Sequence, residues 1–167
     1  SRQIRLASRP YGAPKQENFR LEEKAVREPR DGEVLLRTLY LSLDPYMRGR
    51  LSDAKSYAKS VEIGDDIVGA TVTEVIESRS ADLRPGQIVL PYGGWQSYST
   101  EPAASLRVLD PVQAPVTTAL GVLGMPGFTA YAGLLAIGKP EPRATVAVAA
   151  ATGPVGSAVG QLAKIQG

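Results

Sequence analysis

The residues whose types and spacing best suit chemistry lie late in the chain, in Ala149-Ala150-Ala151-Thr152-Gly153-Pro154-Val155-Gly156-Ser157. An apolar run (Thr145 to Ala149), a turn of small residues and a helix-forming segment follow one another there. That order is the geometry of a dinucleotide-binding β-α unit. Against the pattern G-x-G-x-x-G the turn reads Ala151-x-Gly153-x-x-Gly156. Gly153 would let the backbone approach a pyrophosphate, and Gly156 and Gly160 would let the helix pack close to a sheet. A helix N-terminus offers N–H groups and the positive end of its dipole to phosphates. Pro154 has no N–H to donate, but it suits a first helical turn. The same spacing also serves a tight β-α turn with a glycine packing face and no ligand. An acidic or basic residue about 20 positions further on would decide between the two, and it would fall after Gly167.

Composition narrows the remaining chemistry. The 167 residues include no histidine and no cysteine. Nucleophile systems of the Ser-His-Asp or Cys-His kind are excluded, as are disulfides. Zinc is held by His or Cys in almost every site, so no metal is expected. Only a hard cation among carboxylates would remain. Nineteen Lys and Arg against 17 Asp and Glu leave a charge of +2, and no two basic residues are adjacent. Nucleic acid is therefore not an expected partner. Pro111 to Gly138 and Ala144 to Ala163 carry no charge. Glycine, proline and polar residues interrupt both stretches, which points to burial in protein rather than in a membrane. Ser1-Arg2-Gln3 does not open a signal peptide, and the absence of cysteine is compatible with a cytoplasmic protein.

The elements that would position such a site change character along the chain. Up to Asp110 the sequence reads as short strands joined by turns. Expected strands are Phe19 to Leu21, Glu33 to Leu43, Ile67 to Ile76, Gln87 to Leu90, Trp95 to Thr100 and Leu106 to Leu109. Asp31-Gly32 and Pro85-Gly86 are turn signals, and Gly69 suggests a bend at a barrel corner. Strands at this spacing argue for a partly open barrel or a sandwich. Beyond Pro111 come a short helix from Val116 to Leu123 and a second helix opened by Pro126, in which Phe128, Tyr131, Leu134 and Leu135 recur at core spacing. The strand Thr145 to Ala149 and the helix Val155 to Ile165 follow. A lone β-α unit leaves its strand without neighbours. Val146 and Val148 are therefore expected to be poorly covered, and the sequence reads as the front part of a larger enzyme or a shortened form of one.

Three runs occur together and in order: Tyr40-Leu41-Ser42-Leu43-Asp44-Pro45-Tyr46-Met47-Arg48-Gly49-Arg50, Gly121 to Tyr131, and Ala150 to Gly156. With them the chain resembles, over its whole length, the zinc-independent medium-chain dehydrogenase/reductases. The branch is that of the NADPH-dependent double-bond reductases, which holds the prostaglandin and leukotriene reductases, plant alkenal reductases and bacterial curcumin reductases. Ala7-Ser8-Arg9-Pro10 and Glu17-Asn18-Phe19-Arg20-Leu21 point to the bacterial curcumin-reductase type. The resemblance implies a mostly β, GroES-like, partly open barrel over 1–115, connecting helices over 116–138, and over 139–167 the first β-α unit of an α/β Rossmann domain.

It also implies a reaction, the reduction of the carbon–carbon double bond of an enal or enone by NADPH. In such a reaction negative charge develops on the carbonyl oxygen, and a hydrogen-bond donor aimed there lowers the barrier. Tyr46 matches the motif tyrosine and is expected in that role; without the motif it would read as a rim aromatic anchoring Pro45. Arg48 and Arg50 read as solvated or salt-bridged. Tyr92 and Trp95, on a loop with Gly93 and Gly94, are expected to contact an apolar conjugated substrate or to pack over the barrel mouth. Met125 and Thr129 match the motif beside the nicotinamide in relatives, where Thr129 would bond the carboxamide or serve as a plain helix residue. Phe128 and Tyr131 are expected in the core. Thr152, Gly153, Pro154, Val155 and Gly156 match the cofactor turn. A homodimer of the longer protein is implied. A quinone reductase of the same superfamily and a non-catalytic GroES-like binding module are the competing readings.

Overall fold

A computed structural model describes residues 1–167. The chain divides into two compact units, Ser1–Asp110 and Pro111–Gly167.

The first unit contains β1 (Arg2–Leu6), β2 (Phe19–Glu23), β3 (Glu33–Leu41), α1 (Tyr46–Arg50), β4 (Thr71–Ser78), β5 (Ile88–Leu90), β6 (Tyr98–Pro102) and β7 (Arg107–Leu109). β1 and β2 pair antiparallel, from Arg2 opposite Glu23 to Leu6 opposite Phe19. The other strands form a five-stranded antiparallel sheet in the order β6-β3-β4-β5-β7. β3 is its spine. Val34 and Leu36 alternate with Leu35 and Arg37, so one face is fully buried and the other partly wet. Its register against β4 shifts at Leu35/Leu36 and at Thr38/Tyr40, and such irregularities bend and twist the sheet. Single bridges join Gln3 to Gln96 and Arg5 to Asp66, tying the small sheet to the large one. The sheets stay open and form no closed barrel.

Two apolar clusters fill this unit. Val34, Leu36, Val75, Leu83, Val89 and Ala103 form one. Leu6, Leu51, Val61 and Ile67 form the other, with Phe19 and Trp95 packed against it. Each fully buried Val or Leu contributes about 1.5–3 kcal/mol.

Some elements differ from expectation. β1 was not expected. β4 starts at Thr71 rather than Ile67, because the backbone of residues 67–70 bonds to Trp95, Gly94 and Ser42 instead of joining a ladder. β6 starts at Tyr98 rather than Trp95.

The second unit holds a 3-10 turn (Val116–Leu120), α2 (Met125–Tyr131), a π-helical continuation (Ala132–Gly138) and α3 (Pro154–Gln166). α2 packs on α3. Residues 145–149 form no strand. A strand needs a pairing partner, and this unit contains no other extended segment. Val146 is exposed and Val148 half-buried. Phe128 (72% exposed) and Tyr131 (55%) lie on the surface rather than in a core, and Ile137 is 80% exposed. The uncharged stretches are therefore buried only in part: Ala119, Ala130, Leu134 and Ala158 are covered, while these larger side chains are not. No helix is long and apolar enough to cross a membrane.

Candidate active site

α1 is a five-residue helix, too short to persist on its own. Its setting holds it. Pro45, already in helical conformation, fixes the entry, and Asp44 and Pro45 carbonyls accept from the N–H groups of Met47 and Arg48 at 3.0 and 3.1 Å. Met47 is buried, and a carbon added to Gly69 would lie 3.0 Å from Met47 Cε and 3.5 Å from Trp95 Cδ1. The buried side of α1 thus meets the loop that carries Tyr92 and Trp95. Arg48 donates to the Pro10 and Gly12 carbonyls at 3.0 and 2.9 Å, strapping the 9–12 loop to the helix.

Tyr46 is half-buried, and its hydroxyl is shielded from solvent with no hydrogen-bond partner in the protein. Burial pushes its pKa above the ordinary value of 10.0; Tyr92, Asp44 and Tyr57 push the same way, and Arg50 opposes them. The phenol therefore carries its proton at neutral pH and is available only as a donor or weak acceptor. Arg50, one turn on, differs from its sequence reading. It forms no salt bridge, and its Nε is shielded and has no partner.

Tyr92 is 64% exposed and close enough to influence the Tyr46 phenol. Trp95 is different. It stacks on Phe19 at 5.8 Å and 17° and packs against the cluster of Leu6, Leu51, Val61 and Ile67, with its indole N–H shielded and unpartnered. The loop between them is also not the flexible element its glycines suggest. Gly94 has φ +74°, and a Cβ there would lie 2.7 Å from the Ile67 carbonyl oxygen. Gly94 and Trp95 donate to Gly69 and Ile67 carbonyls at 3.1 and 2.9 Å. Gln96 adds a side-chain tie, donating to the Gly93 carbonyl and accepting from buried Gln3, each at 2.7 Å. Gln3 and Gln96 were not singled out from sequence; the polar side chains that brace the loop carry no periodic signal.

In the second unit Met125 and Thr129 share α2. The Thr129 hydroxyl donates to the Met125 carbonyl at 2.8 Å, a bond within the helix. At the turn, Gly153 is the residue before α3, and no side chain caps that helix. The Gly153 N–H donates to Ala150 at 3.0 Å, and Ala150 sits at φ +52°. Pro154 opens the helix, so the first-turn N–H groups of Val155 and Gly156 are those left for a partner outside it. Gly156 is buried; a Cβ there would collide with the Ala150 carbonyl and approach the Ala151 Cα to 2.8 Å. Thr152 is exposed beside it. A tight turn that tolerates no side chain at Gly156, followed by an uncapped helix start, fits the phosphates of a dinucleotide. No cluster of three or more carboxylates gathers to hold a cation.

Comparison with known proteins bears on both units. Residues 2–109 match the family described as the N-terminal domain of oxidoreductase. The chain is 57% identical over 162 residues to the NADPH-dependent curcumin reductase of Escherichia coli (strain K12), covering 97% of this chain and 47% of that protein. It is 43% identical over 159 residues to prostaglandin reductase 1 of Rattus norvegicus, covering 93% of this chain and 46% of that one. The crystal structure of CurA in complex with NADPH from Vibrio vulnificus superposes with a TM-score of 0.94 at 53% identity, over 100% of this chain and 50% of that one. The chain spans about half the length of the curated relatives it matches. It belongs to the medium-chain dehydrogenase/reductase family of oxidoreductases, on the branch that holds the curcumin and prostaglandin reductases.

Proposed function

We propose that the protein reduces the carbon–carbon double bond of α,β-unsaturated aldehydes and ketones with NADPH, and that Tyr46 receives the substrate's carbonyl oxygen. The observation that carries this reading is the Tyr46 hydroxyl, shielded from solvent and unpartnered. A buried hydroxyl without a partner costs about 1–3 kcal/mol, a cost that a ligand oxygen would remove. The similarity to a protein named for NADPH-dependent curcumin reduction supports the choice of substrate class.

NADPH, when bound, supplies the hydride that reaches the β-carbon. The protein's part is electrostatic. Tyr46 keeps its proton because burial raises its pKa, and it presents that proton where negative charge gathers on the carbonyl oxygen. Tyr92 offers an exposed ring to a flat, conjugated substrate, while Trp95 forms the wall behind the loop. Val155 and Gly156 would hold the phosphates through their backbone N–H groups, with Thr152 beside them, Gly153 allowing the close approach and Pro154 shaping the helix start. Met125 and Thr129 serve the nicotinamide end. The Thr129 proton is already donated to Met125, so its oxygen is left to accept from the carboxamide N–H.

The test uses a chain extended to the length of its relatives, mixed with NADPH and a simple enone, with nicotinamide absorbance followed over time. Absence of NADPH oxidation removes the proposal. A quinone consumed faster than the enone at equal concentration turns the reading to quinone reduction. Tyr46→Phe is expected to lower turnover about a hundredfold with NADPH affinity unchanged. Collapse of cofactor binding in that variant would make Tyr46 structural.

A further inference from the structure

Among the partly buried arginines of the first unit, Arg5, Arg9 and Arg48 find partners and Arg50 does not. Arg5 bonds Asp66 at 3.1 Å, Arg9 the Val61 carbonyl, Arg37 Glu74 at 2.5 Å, and Arg48 two loop carbonyls. Arg50 is half-buried, its Nε is shielded, and neither a hydrogen bond nor an ion pair engages its guanidinium. A partly buried cation without a counter-charge is costly. A fold keeps one where the anion arrives later.

Tyr46 lies one helical turn earlier in α1, at the i, i+4 spacing that puts two side chains on one helix face. Its hydroxyl is shielded and unpartnered in the same way. Two orphan donors thus share a face, and no protein acceptor satisfies either. Asp44, the nearest acid in sequence, bonds neither of them.

We infer that Tyr46 and Arg50 form a two-donor receptor for a single oxyanion, with the Arg50 Nε–H completing the site that Tyr46 opens. The oxyanion is the carbonyl oxygen of the substrate as it takes on enolate charge, so the inference rests on the proposed reductase reading and adds a catalytic residue to it. No bond to Arg50 forms or breaks. As a guanidinium it stays charged throughout and stabilises the developing charge at fixed position. The charged and titratable groups that act on the phenol are Tyr92, Asp44 and Tyr57, which with burial raise its pKa, and Arg50, which lowers it. Removal of the Arg50 charge must then make the phenol harder to ionise.

Two readouts test this, one of them independent of turnover. Tyrosinate absorbance is titrated in the parent and in Tyr46→Phe, and the difference isolates Tyr46. The same pair is then compared on an Arg50→Gln background and on an Arg50→Lys background. The phenol is expected to ionise at higher pH with Gln and at the parental pH with Lys. NADPH-dependent turnover of 3-buten-2-one by the extended chain is expected to fall about a hundredfold in Arg50→Gln, with NADPH affinity held within about twofold. Arg50→Lys keeps the charge but loses the Nε–H, so its turnover should lie between the two. An unshifted phenol with parental turnover in Arg50→Gln overturns the inference, as does parental turnover in Arg50→Lys, which remains decisive if the Gln variant does not fold. Should both Arg50 variants be slow while Tyr46→Phe is as fast as the parent, the Tyr46 reading itself fails, and the inference fails with it.

Discussion

Replacement of Gly94 by alanine separates two reasons for a glycine in the loop between Tyr92 and Trp95. The first is backbone conformation. At φ +74° an alanine is strained by roughly 1–2 kcal/mol. The second is collision. The new Cβ would sit 2.7 Å from the Ile67 carbonyl oxygen, where ordinary contact starts at 3.4 Å. That oxygen also accepts from the Trp95 N–H at 2.9 Å, so relief of the clash stretches a hydrogen bond worth about 1 kcal/mol. The combined loss is about 2–3 kcal/mol, which for a unit of this size corresponds to a Tm lower by roughly 10 °C. Gly86 is the control: its φ is +87°, and nothing lies within 4 Å of its added Cβ. Gly86→Ala should show the conformational part alone, about half the effect. The chain's single tryptophan, stacked on Phe19, makes the assay direct. Its fluorescence during heating reports the first unit and ignores the second. Equal losses in the two variants would refute the collision, and a Gly94→Ala protein as stable as the parent would refute both terms.

Other perturbations act elsewhere. Gly156→Val, in a chain extended to the length of its relatives, should weaken NADPH binding at least tenfold (roughly 1.4 kcal/mol), with the Trp95 melting transition of the first unit unchanged. Binding at parental affinity would show that the turn before α3 is not a phosphate cradle. Glu101 tests pH dependence. Burial raises its pKa above the carboxylate norm, Glu33 adds to the rise, and nearby Ser99, just short of hydrogen-bond geometry, opposes it. A raised acid destabilises the fold when ionised. The penalty is absent at low pH, enters as pH climbs through the unfolded carboxylate value of about 4.3, and is complete above the folded one. Glu101→Gln should therefore be more stable than the parent at neutral pH and lose that advantage in acid. A variant less stable at pH 7 would contradict the sign.

The sheet was readable where apolar residues alternate and turns are marked. Glu33 to Leu43 and Gln87 to Leu90 show both signals, and the strands found, Glu33–Leu41 and Ile88–Leu90, match within a residue or two. β1 escaped because one of its buried positions is Gln3, whose burial is made tolerable by a bond to Gln96 93 residues away. No local pattern contains that. α1 escaped because five residues give a 3.6-residue period no room to repeat. Thr145 to Ala149 has strand composition but no strand to pair with, so composition outran context. For the site, the motif run led to Tyr46, and the structure added what a motif lacks: the absence of a partner for its hydroxyl and for Arg50 Nε. The glycines beside Trp95 suggested mobility, yet Gly94 is close-packed, a property of the neighbouring Ile67 backbone rather than of the loop's own residues.

The bond from Gln3 to Gln96, together with Ile4 N–H to the Trp95 carbonyl at 2.8 Å, sets an order of events during synthesis. β1 can pair with the nearby β2 early, but its tie to the loop before β6 waits for a segment made about ninety residues later. Until that loop has emerged, the Gln3 amide lacks its acceptor and the edge of β1 away from β2 stays unpaired. Closures across such sequence distances are slow.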